Sequence, residues 1–285
     1  MIFFNTFSDP KETFVVISRI AALSSILASL EWLSLYKHFR PNGIFSWEIH
    51  KIWAKKNRDR LALSFNFIFK YPNILFVIFT QLIVALIILF KQQSDLSIAI
   101  SMGYLAFTYF LITYRGVNGF NGADSTSKIV FTILTLCFAV SSTWVFQVGL
   151  FFITFQLILA YFTPGFLRLV KKNWWNGRYL RNILRLETFG NKRLWEFCDR
   201  YTVTYKIISW LLILFECSVI IIIFVPLPWL IVWLCCALLF HIINAVVMGL
   251  NNFPLAFLAL YPAIIWLNIR IHSDIEVISK CFALF

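Results

Sequence analysis

Long apolar runs, each close to the length needed to cross a lipid bilayer, constrain this chain more than any other feature. A spanning helix needs about 20 mostly apolar residues, and about eight segments approach that length. They are residues 14–36, 72–91, 96–114, 129–143, 145–170, 203–225, 228–250 and 252–269. No polar segment between them is long enough to form a soluble domain. The sequence therefore predicts an all-α, polytopic membrane bundle that forms a single domain over residues 1–285.

The overall composition supports a membrane protein and argues against a nucleic-acid-binding protein. Hydrophobic residues make up 60% of the chain and charged residues 13%, whereas a soluble domain has roughly a quarter of its residues charged. The formal net charge of +12 arises mainly in two loops beside apolar runs. The positive-inside bias and contact with anionic headgroups explain such a distribution. We expect membrane lipids as partners and no nucleic acid.

The two basic loops, residues 37–70 and 171–202, also contain aromatic residues between their lysines and arginines. This combination is typical of helices that lie in the membrane interface. With eight spans, both loops lie on one side of the membrane and both termini on the other. The basic residues indicate that the loop side is cytoplasmic.

The six cysteines do not suggest a disulfide framework. Cys137, Cys217, Cys235 and Cys236 lie within apolar runs, and no CxxC spacing occurs. We interpret the cysteines as buried thiols.

Ionisable residues inside the sixth and seventh runs are the strongest candidates for a functional role. Glu216 precedes the Pro226–Pro228 turn and His241 follows it, so an antiparallel hairpin places the two at depths about 5 Å apart. Asn244 shares a helical face with His241. Intramembrane ionisable groups suggest a functional site. The alternative is a buried polar pair that only joins two helices.

A second group of candidates lies before and along the fifth run. Asp124 is placed to act as a base, to bind a metal or to cap the helix that follows it. Gln156, Tyr161 and Arg168 lie along the fifth run, which Pro164 and Gly165 are expected to bend. The alternative for Arg168 is an ordinary interfacial anchor. We predict that the candidates converge on one cavity: Asp124, Gln156, Tyr161, Arg168, His241 and Asn244.

Several of these motifs together resemble the horizontally transferred transmembrane (HTTM) family, which is related to vitamin K-dependent gamma-carboxylase. The matching segments cover about residues 100–267 and occur in the family's order. They are Asn121-Gly-Ala-Asp124, Gln156 with Tyr161-Phe-Thr-Pro-Gly-Phe-Leu-Arg168, Trp175-Asn-Gly177, and His241-x-x-x-Ala-x-x-Met-Gly-Leu250 followed by Asn252-Phe253. The compact size is similar to bacterial members that mature a secreted peptide together with a partner protein.

The sequence departs from the carboxylase pattern at the residues that carry the chemistry. Arg168 stands where the resemblance implies a catalytic lysine, and a guanidinium stays protonated and cannot act as a base. Asn121-Gly-Ala-Asp124 replaces the carboxylase histidine motif, and the large lumenal domain is absent. We therefore do not expect vitamin K carboxylation. The resemblance also implies that residues 115–128 and 171–202 face outward, in conflict with the orientation that loop charge indicates.

The resemblance implies a bacterial cytoplasmic-membrane protein that modifies, matures or exports a small secreted peptide with a partner protein. One alternative is a quinone- or lipid-dependent enzyme, with Asp124, Arg168 and His241 catalytic. Its cofactor would lie beside Gln156, Tyr161, Glu216 and Asn244. The other alternative is a small-molecule permease or an immunity-type binding protein. Whether the protein is an enzyme stays open, and no metal is expected. A hydrophobic cavity open to the bilayer favours a quinone or lipid, and a water-filled path favours transport.

Overall fold

The computed structural model describes residues 6–91, 93–116, 122–187 and 190–282, with side chains up to residue 274. Within these ranges, eight helices are long and apolar enough to cross a membrane. In chain order, as α1 to α8, they are Pro10–Ser34, Asn73–Phe90, Asp95–Arg115, Gly122–Val140, Thr143–Leu169, Val203–Ile222, Leu227–Met248 and Phe253–Asp274. The prediction of an all-α, multi-pass membrane fold is confirmed.

The start of α4 differs most from the prediction. The sequence predicted a polar loop over residues 115–128 and a short span from 129, whereas α4 begins at Gly122. The polar residues at the start of α4 interact with the helix itself. Thr126 donates to the carbonyl of Gly122 at 2.8 Å. Asp124 lies in the first turn, where its charge complements the helix dipole. Asn121, the first residue of the predicted motif, lies outside the described residues.

The chain divides into two compact units. The N-terminal unit comprises Phe14–Gly149, and the C-terminal unit comprises Met1–Thr13 together with Leu150–Phe285. The boundaries fall inside α1 and α5, so these two helices contribute to both units.

In the N-terminal unit, short helices fill the first basic loop, as the sequence predicted. They are the 3-10 helix Tyr36–Phe39 and the α-helices Trp47–Lys56, Arg60–Ser64 and Asn66–Phe69. Buried side chains of the three α-helices form a small core with Leu111 of α3. Asp59 accepts the backbone N–H of Ala62 at 2.9 Å and the hydroxyl of Tyr114 at 2.7 Å. These bonds lower the pKa of Asp59 and attach the loop to the end of α3.

In the C-terminal unit, the second basic loop also folds into short helices: Lys172–Trp175, Arg178–Arg185 and Lys192–Asp199. Side-chain bonds to backbone carbonyls hold the turn between α6 and α7, because the Nδ2 atom of Asn268 donates to Ile223 and Val225 at 2.8 Å each. Ser218 interrupts α6 and accepts the indole N–H of Trp233 at 2.8 Å. The last span, α8, consists of Phe253–Leu258 and the first part of Tyr261–Phe282.

The prediction of buried thiols is only partly correct. Cys137 and Cys198 are buried and Cys217 is half-buried, but Cys235 and Cys236 are exposed on the outer surface of α7. An apolar run therefore did not imply burial, since a spanning helix also exposes apolar side chains to lipid. All five are free thiols, and the side chain of Cys281 lies outside the described part of the chain.

Candidate functional site

A cavity of about 490 Å³ lies within the C-terminal unit, between α5, α6, α7, the start of α8 and the short helices of residues 172–199. This volume is in the range of small-molecule sites. Most of the side chains that line the cavity are apolar. The polar exceptions that the sequence had singled out are Tyr161, Arg168, Glu216, His241 and Asn244.

Helical periodicity explains the contribution of α5. Tyr161, Pro164 and Arg168 are three and four residues apart, so they follow one face of the helix, and all three line the cavity. Arg168 lies seven residues beyond Tyr161, which corresponds to about 10 Å along the helix axis. The cavity therefore extends over about two turns of α5, with different polar groups at the two positions.

Gly165 allows α5 and α6 to approach closely beside the cavity. A Cβ atom at this position would lie 2.8 Å from the Cβ of Glu216 and 3.1 Å from the backbone nitrogen of Cys217. Real Cβ atoms essentially never approach another heavy atom as closely as 2.8 Å, so any larger residue requires α5 and α6 to shift apart. The absence of a side chain at Gly165 is what brings Glu216 within reach of Arg168, one turn further along α5.

Arg168 and Glu216 form an ion pair at one position of the cavity. The Nη1 atom of Arg168 donates to the Oε2 atom of Glu216, and the Glu216 side chain is only 3% exposed. The guanidinium also lies over the indole ring of Trp174, with 4.9 Å between the guanidinium carbon and the ring centre. The pair neutralises both charges within the chain, so this part of the cavity has no net charge to balance.

A hydrogen-bonded group of three buried side chains forms the second polar position. The hydroxyl of Tyr161 lies 2.7 Å from Nε2 of His241 and 3.3 Å from the hydroxyl of Tyr261. Each of these residues is at most 4% exposed. A phenol and an imidazole in hydrogen bond can share or pass on a proton, which gives this position the capacity for acid–base work.

Aromatic rings surround His241. The rings of Phe240, Phe253 and Phe257 lie within 6 Å of the imidazole centre, and Phe257 is nearest at 3.9 Å. The Nδ1 atom of His241 is buried and has no hydrogen-bond partner among the described residues. A buried polar atom without a partner costs free energy. A ligand that supplies a partner for Nδ1 would recover that cost.

An amphipathic helix in the second basic loop forms another part of the cavity wall. Leu180 and Leu184 of Arg178–Arg185 are one turn apart, are buried and line the cavity. Arg181, whose side chain is about half exposed at 49%, donates to Asp199 at 2.7 Å, and this carboxylate raises the pKa of Arg181. The loop that was predicted to lie in the membrane interface therefore contributes directly to the cavity.

The structure confirms that Glu216 and His241 are buried and that each has a polar partner. The two do not pair with each other, because Gly165 brings Glu216 to Arg168 and the cavity-facing side of α5 brings Tyr161 to His241. Five of the predicted residues thus come together. What they do in this cavity, as catalytic or cofactor-binding residues, stays a prediction.

Two predicted residues do not belong to this group. Gln156 is half-buried but does not line the cavity, since five residues correspond to about 140° of rotation away from the direction of Tyr161. Asp124 belongs to the N-terminal unit and lines a cavity of that unit. Its predicted place beside Arg168 and His241 stays a prediction.

Sequence reasoning missed Tyr261 and Trp174. Tyr261 follows the Phe253–Leu258 helix inside the last apolar run, where a tyrosine is one aromatic residue among many. Trp174 lies in the second basic loop, whose aromatic residues were predicted only to indicate helices in the membrane interface. A group of three or more His, Cys, Asp or Glu residues suited to a metal ion does not occur within the described ranges.

No family model matches the sequence, and no curated protein or solved structure gives a significant match. The HTTM resemblance therefore rests on the sequence motifs alone and stays a prediction.

Proposed function

We propose that the protein binds a neutral, lipid-soluble molecule of the quinone or lipid class in the cavity of its C-terminal unit. The observation that carries the proposal is the combination of a largely apolar cavity with a buried hydrogen-bonding group, Tyr161 and His241, at one position. Apolar walls suit the body of a membrane-soluble molecule. A few buried polar atoms fix the orientation of its polar end.

The ion pair favours a neutral ligand over a charged one. Arg168 already has Glu216 as its counter-charge, so an anionic ligand would have to compete with a carboxylate inside the chain. A carbonyl or hydroxyl group needs only a hydrogen-bond partner, which His241 can provide. Quinones and neutral lipid headgroups have these groups.

The proposed binding role agrees with either an enzyme or a binding protein. If the HTTM resemblance holds, the ligand would serve the modification, maturation or export of a small secreted peptide in the bacterial cytoplasmic membrane. That peptide role and its partner protein rest on the resemblance and not on the cavity. A permease is the rival, and it would require a water-filled path that reaches both membrane faces.

Thermal unfolding of the purified protein in detergent, with decylubiquinone or a neutral diacylglycerol as probe, tests the proposal. At a free ligand concentration of 100 times the Kd, binding stabilises the folded state by about 2.7 kcal/mol. We expect stabilisation of the wild type by at least one of the probes. If neither probe changes the unfolding midpoint, the proposal is wrong.

Two variants that each introduce a phenylalanine ring, one inside the cavity and one outside it, provide the control. Ala160→Phe places a ring in the cavity, because Ala160 lines it, and is expected to remove the stabilisation. Ile207→Phe places a ring on the exposed surface of α6 and is expected to keep it. Equal stabilisation of both variants would place the bound probe elsewhere.

A further inference from the structure

A second cavity, of about 350 Å³, lies within the N-terminal unit. Apolar and aromatic side chains from the end of α1, from the segment that follows it and from the end of α3 form most of its wall. Three ionisable side chains also line the cavity: His50, Arg115 and Asp124. None of them belongs to the proposed quinone or lipid site of the C-terminal unit.

Arg115 is the most unusual of the three because it is buried and none of the described carboxylates forms an ion pair with it. It is the last residue of α3 and is 3% exposed. Its Nε donates to the carbonyl of Phe69 at 2.9 Å, and its Nη2 donates to the carbonyl of Phe45 at 2.5 Å. The guanidinium carbon lies 5.1 Å from the ring centre of Phe39. These contacts fix the guanidinium firmly in place.

The contacts of Arg115 satisfy hydrogen-bond donors but do not balance its charge. Backbone carbonyls and an aromatic ring are dipoles or quadrupoles and carry no net charge. Over the described part of the chain, no ion pair to Arg115 is found. A buried charge without a counter-charge is costly, and an anion in the cavity would remove that cost.

The other two ionisable groups do not supply the missing counter-charge. His50 is half-buried, and burial together with the positive charge of Arg115 lowers its pKa, which keeps the imidazole neutral at pH 7. Asp124 interacts electrostatically with Lys128, one turn further along α4. The acidic group at the cavity thus has a basic neighbour of its own, and Arg115 provides the excess positive charge.

We propose that this cavity binds an anionic phosphate group, with Arg115 as its counter-charge and the aromatic wall as the surface for an attached apolar chain. An arginine fixed by other contacts presents its remaining N–H groups in the planar arrangement that phosphate oxygens accept. The apolar wall favours the phosphate of an anionic membrane lipid over free inorganic phosphate. The ligand of this cavity is thus anionic, whereas the ligand proposed for the cavity of the C-terminal unit is neutral.

Binding of lipid to the full-length purified protein tests this proposal. The delipidated protein is mixed in detergent with phosphatidylglycerol, with zwitterionic phosphatidylcholine or with inorganic phosphate, and bound molecules are counted by native mass spectrometry. We expect one tightly held phosphatidylglycerol, at least tenfold tighter than phosphatidylcholine. Equal affinity for the two lipids would overturn the proposal. Retention of inorganic phosphate as strong as that of phosphatidylglycerol would overturn the assignment to a lipid.

Gly116→Leu blocks the cavity without changing Arg115. A Cβ at Gly116 would meet nothing closer than the carbonyl oxygen of Ile112 at 3.7 Å, so the variant is expected to fold. We expect the affinity of Gly116→Leu for phosphatidylglycerol to be at least tenfold lower than that of the wild type. Arg115→Gln should show the same loss of affinity if it folds. Lys55→Gln removes one exposed charge from the same unit and is expected to bind normally. Full binding by Gly116→Leu, or loss in Lys55→Gln, would show that surface charge alone attracts the lipid.

Discussion

Each of the two units contains an arginine beside a cavity, and the charges of the two arginines are balanced differently. In the C-terminal unit, Arg168 pairs with the carboxylate of Glu216. In the N-terminal unit, Arg115 is bound by the carbonyls of Phe45 and Phe69, and its charge has no partner of opposite sign in the described residues. The same side chain therefore leaves one cavity electrically neutral and the other positive.

This difference indicates that the identity of a buried residue does not by itself define the ligand of a cavity. A guanidinium with an internal carboxylate acts as part of the wall, and the ligand is then selected by the remaining polar groups, here Tyr161 and His241. A guanidinium held only by carbonyls continues to attract anions. Both inferences depend on the contacts that these polar and charged groups make, and the following variants test those contacts one at a time.

The largest expected effect is that of Arg168→Gln. The variant leaves the carboxylate of Glu216, which is 3% exposed, buried without a counter-charge. Removal of one partner of a buried pair costs roughly 3–5 kcal/mol. We expect a loss of this size in the free energy of unfolding, measured by chemical denaturation in detergent. The double variant Arg168→Gln/Glu216→Gln should recover part of the loss. If the destabilisation of the double variant equals the sum of those of Arg168→Gln and Glu216→Gln alone, the two residues are not coupled.

The next largest effect is expected for Gly165→Ala. The added methyl group would lie 2.8 Å from the Cβ of Glu216, and overpacking of this kind costs about 1–3 kcal/mol. The shift of α6 should also weaken the Arg168–Glu216 pair. Gly116→Ala in the N-terminal unit is the matched control, because its methyl group would meet nothing within 3.7 Å. Equal destabilisation of both variants would contradict the close helix approach at Gly165.

Tyr161→Phe is expected to have a smaller effect on stability and a distinct effect on binding. The variant leaves Nε2 of His241 buried without its partner, which costs about 1–3 kcal/mol. We also expect weaker stabilisation by decylubiquinone, because the polar end of the ligand loses its orienting group. Tyr36→Phe, at an exposed tyrosine, serves as control. Unchanged stability and binding in Tyr161→Phe would show that the buried hydrogen bonds do not contribute.

The smallest effect concerns His50 and the positive charge beside it. Burial and the charge of Arg115 lower the pKa of His50 in the folded protein. Below the ordinary histidine pKa of about 6.5, His50 therefore binds a proton more readily in the unfolded chain than in the folded one. The contribution of His50 to stability is therefore full above that pH and declines as the pH falls below it.

Thermal unfolding at pH 7.5 and pH 5.5 measures this contribution. The difference in unfolding midpoint between pH 7.5 and pH 5.5 should be smaller in His50→Ala than in the wild type. An increase in the contribution of His50 at low pH would mean that the cavity is not positive.

The properties that the sequence predicted correctly are those set within a single segment. The length and hydropathy of each apolar run identified the eight helices, and the cost of an exposed ionisable group in lipid predicted that Glu216 and His241 are buried. Their partners depend on contacts between segments. Gly165 had been considered only for its effect on helix bending, yet its lack of a side chain decides that Glu216 meets Arg168 rather than His241.

Two of the errors have local causes, and a third arises from contacts between distant segments. Gln156 was grouped with Tyr161 by proximity in sequence, although helix rotation turns the two side chains about 140° apart. The start of α4 was predicted too late because its first turn contains polar residues that bond to their own backbone. The burial of Arg115 was not predicted, because an arginine at the end of an apolar run is usually an interfacial anchor. Its burial results from carbonyls that lie 46 and 70 residues away in sequence.

A density map of the wild-type protein in lipid nanodiscs tests most directly whether the C-terminal cavity binds a neutral, lipid-soluble ligand. We predict elongated density between α5, α6 and α7, with its polar end within hydrogen-bond distance of His241 and with Arg168 still paired to Glu216. Either of two results would contradict the account: a continuous water-filled path through the cavity to both membrane faces, or side chains of the wall collapsed into the space beside His241.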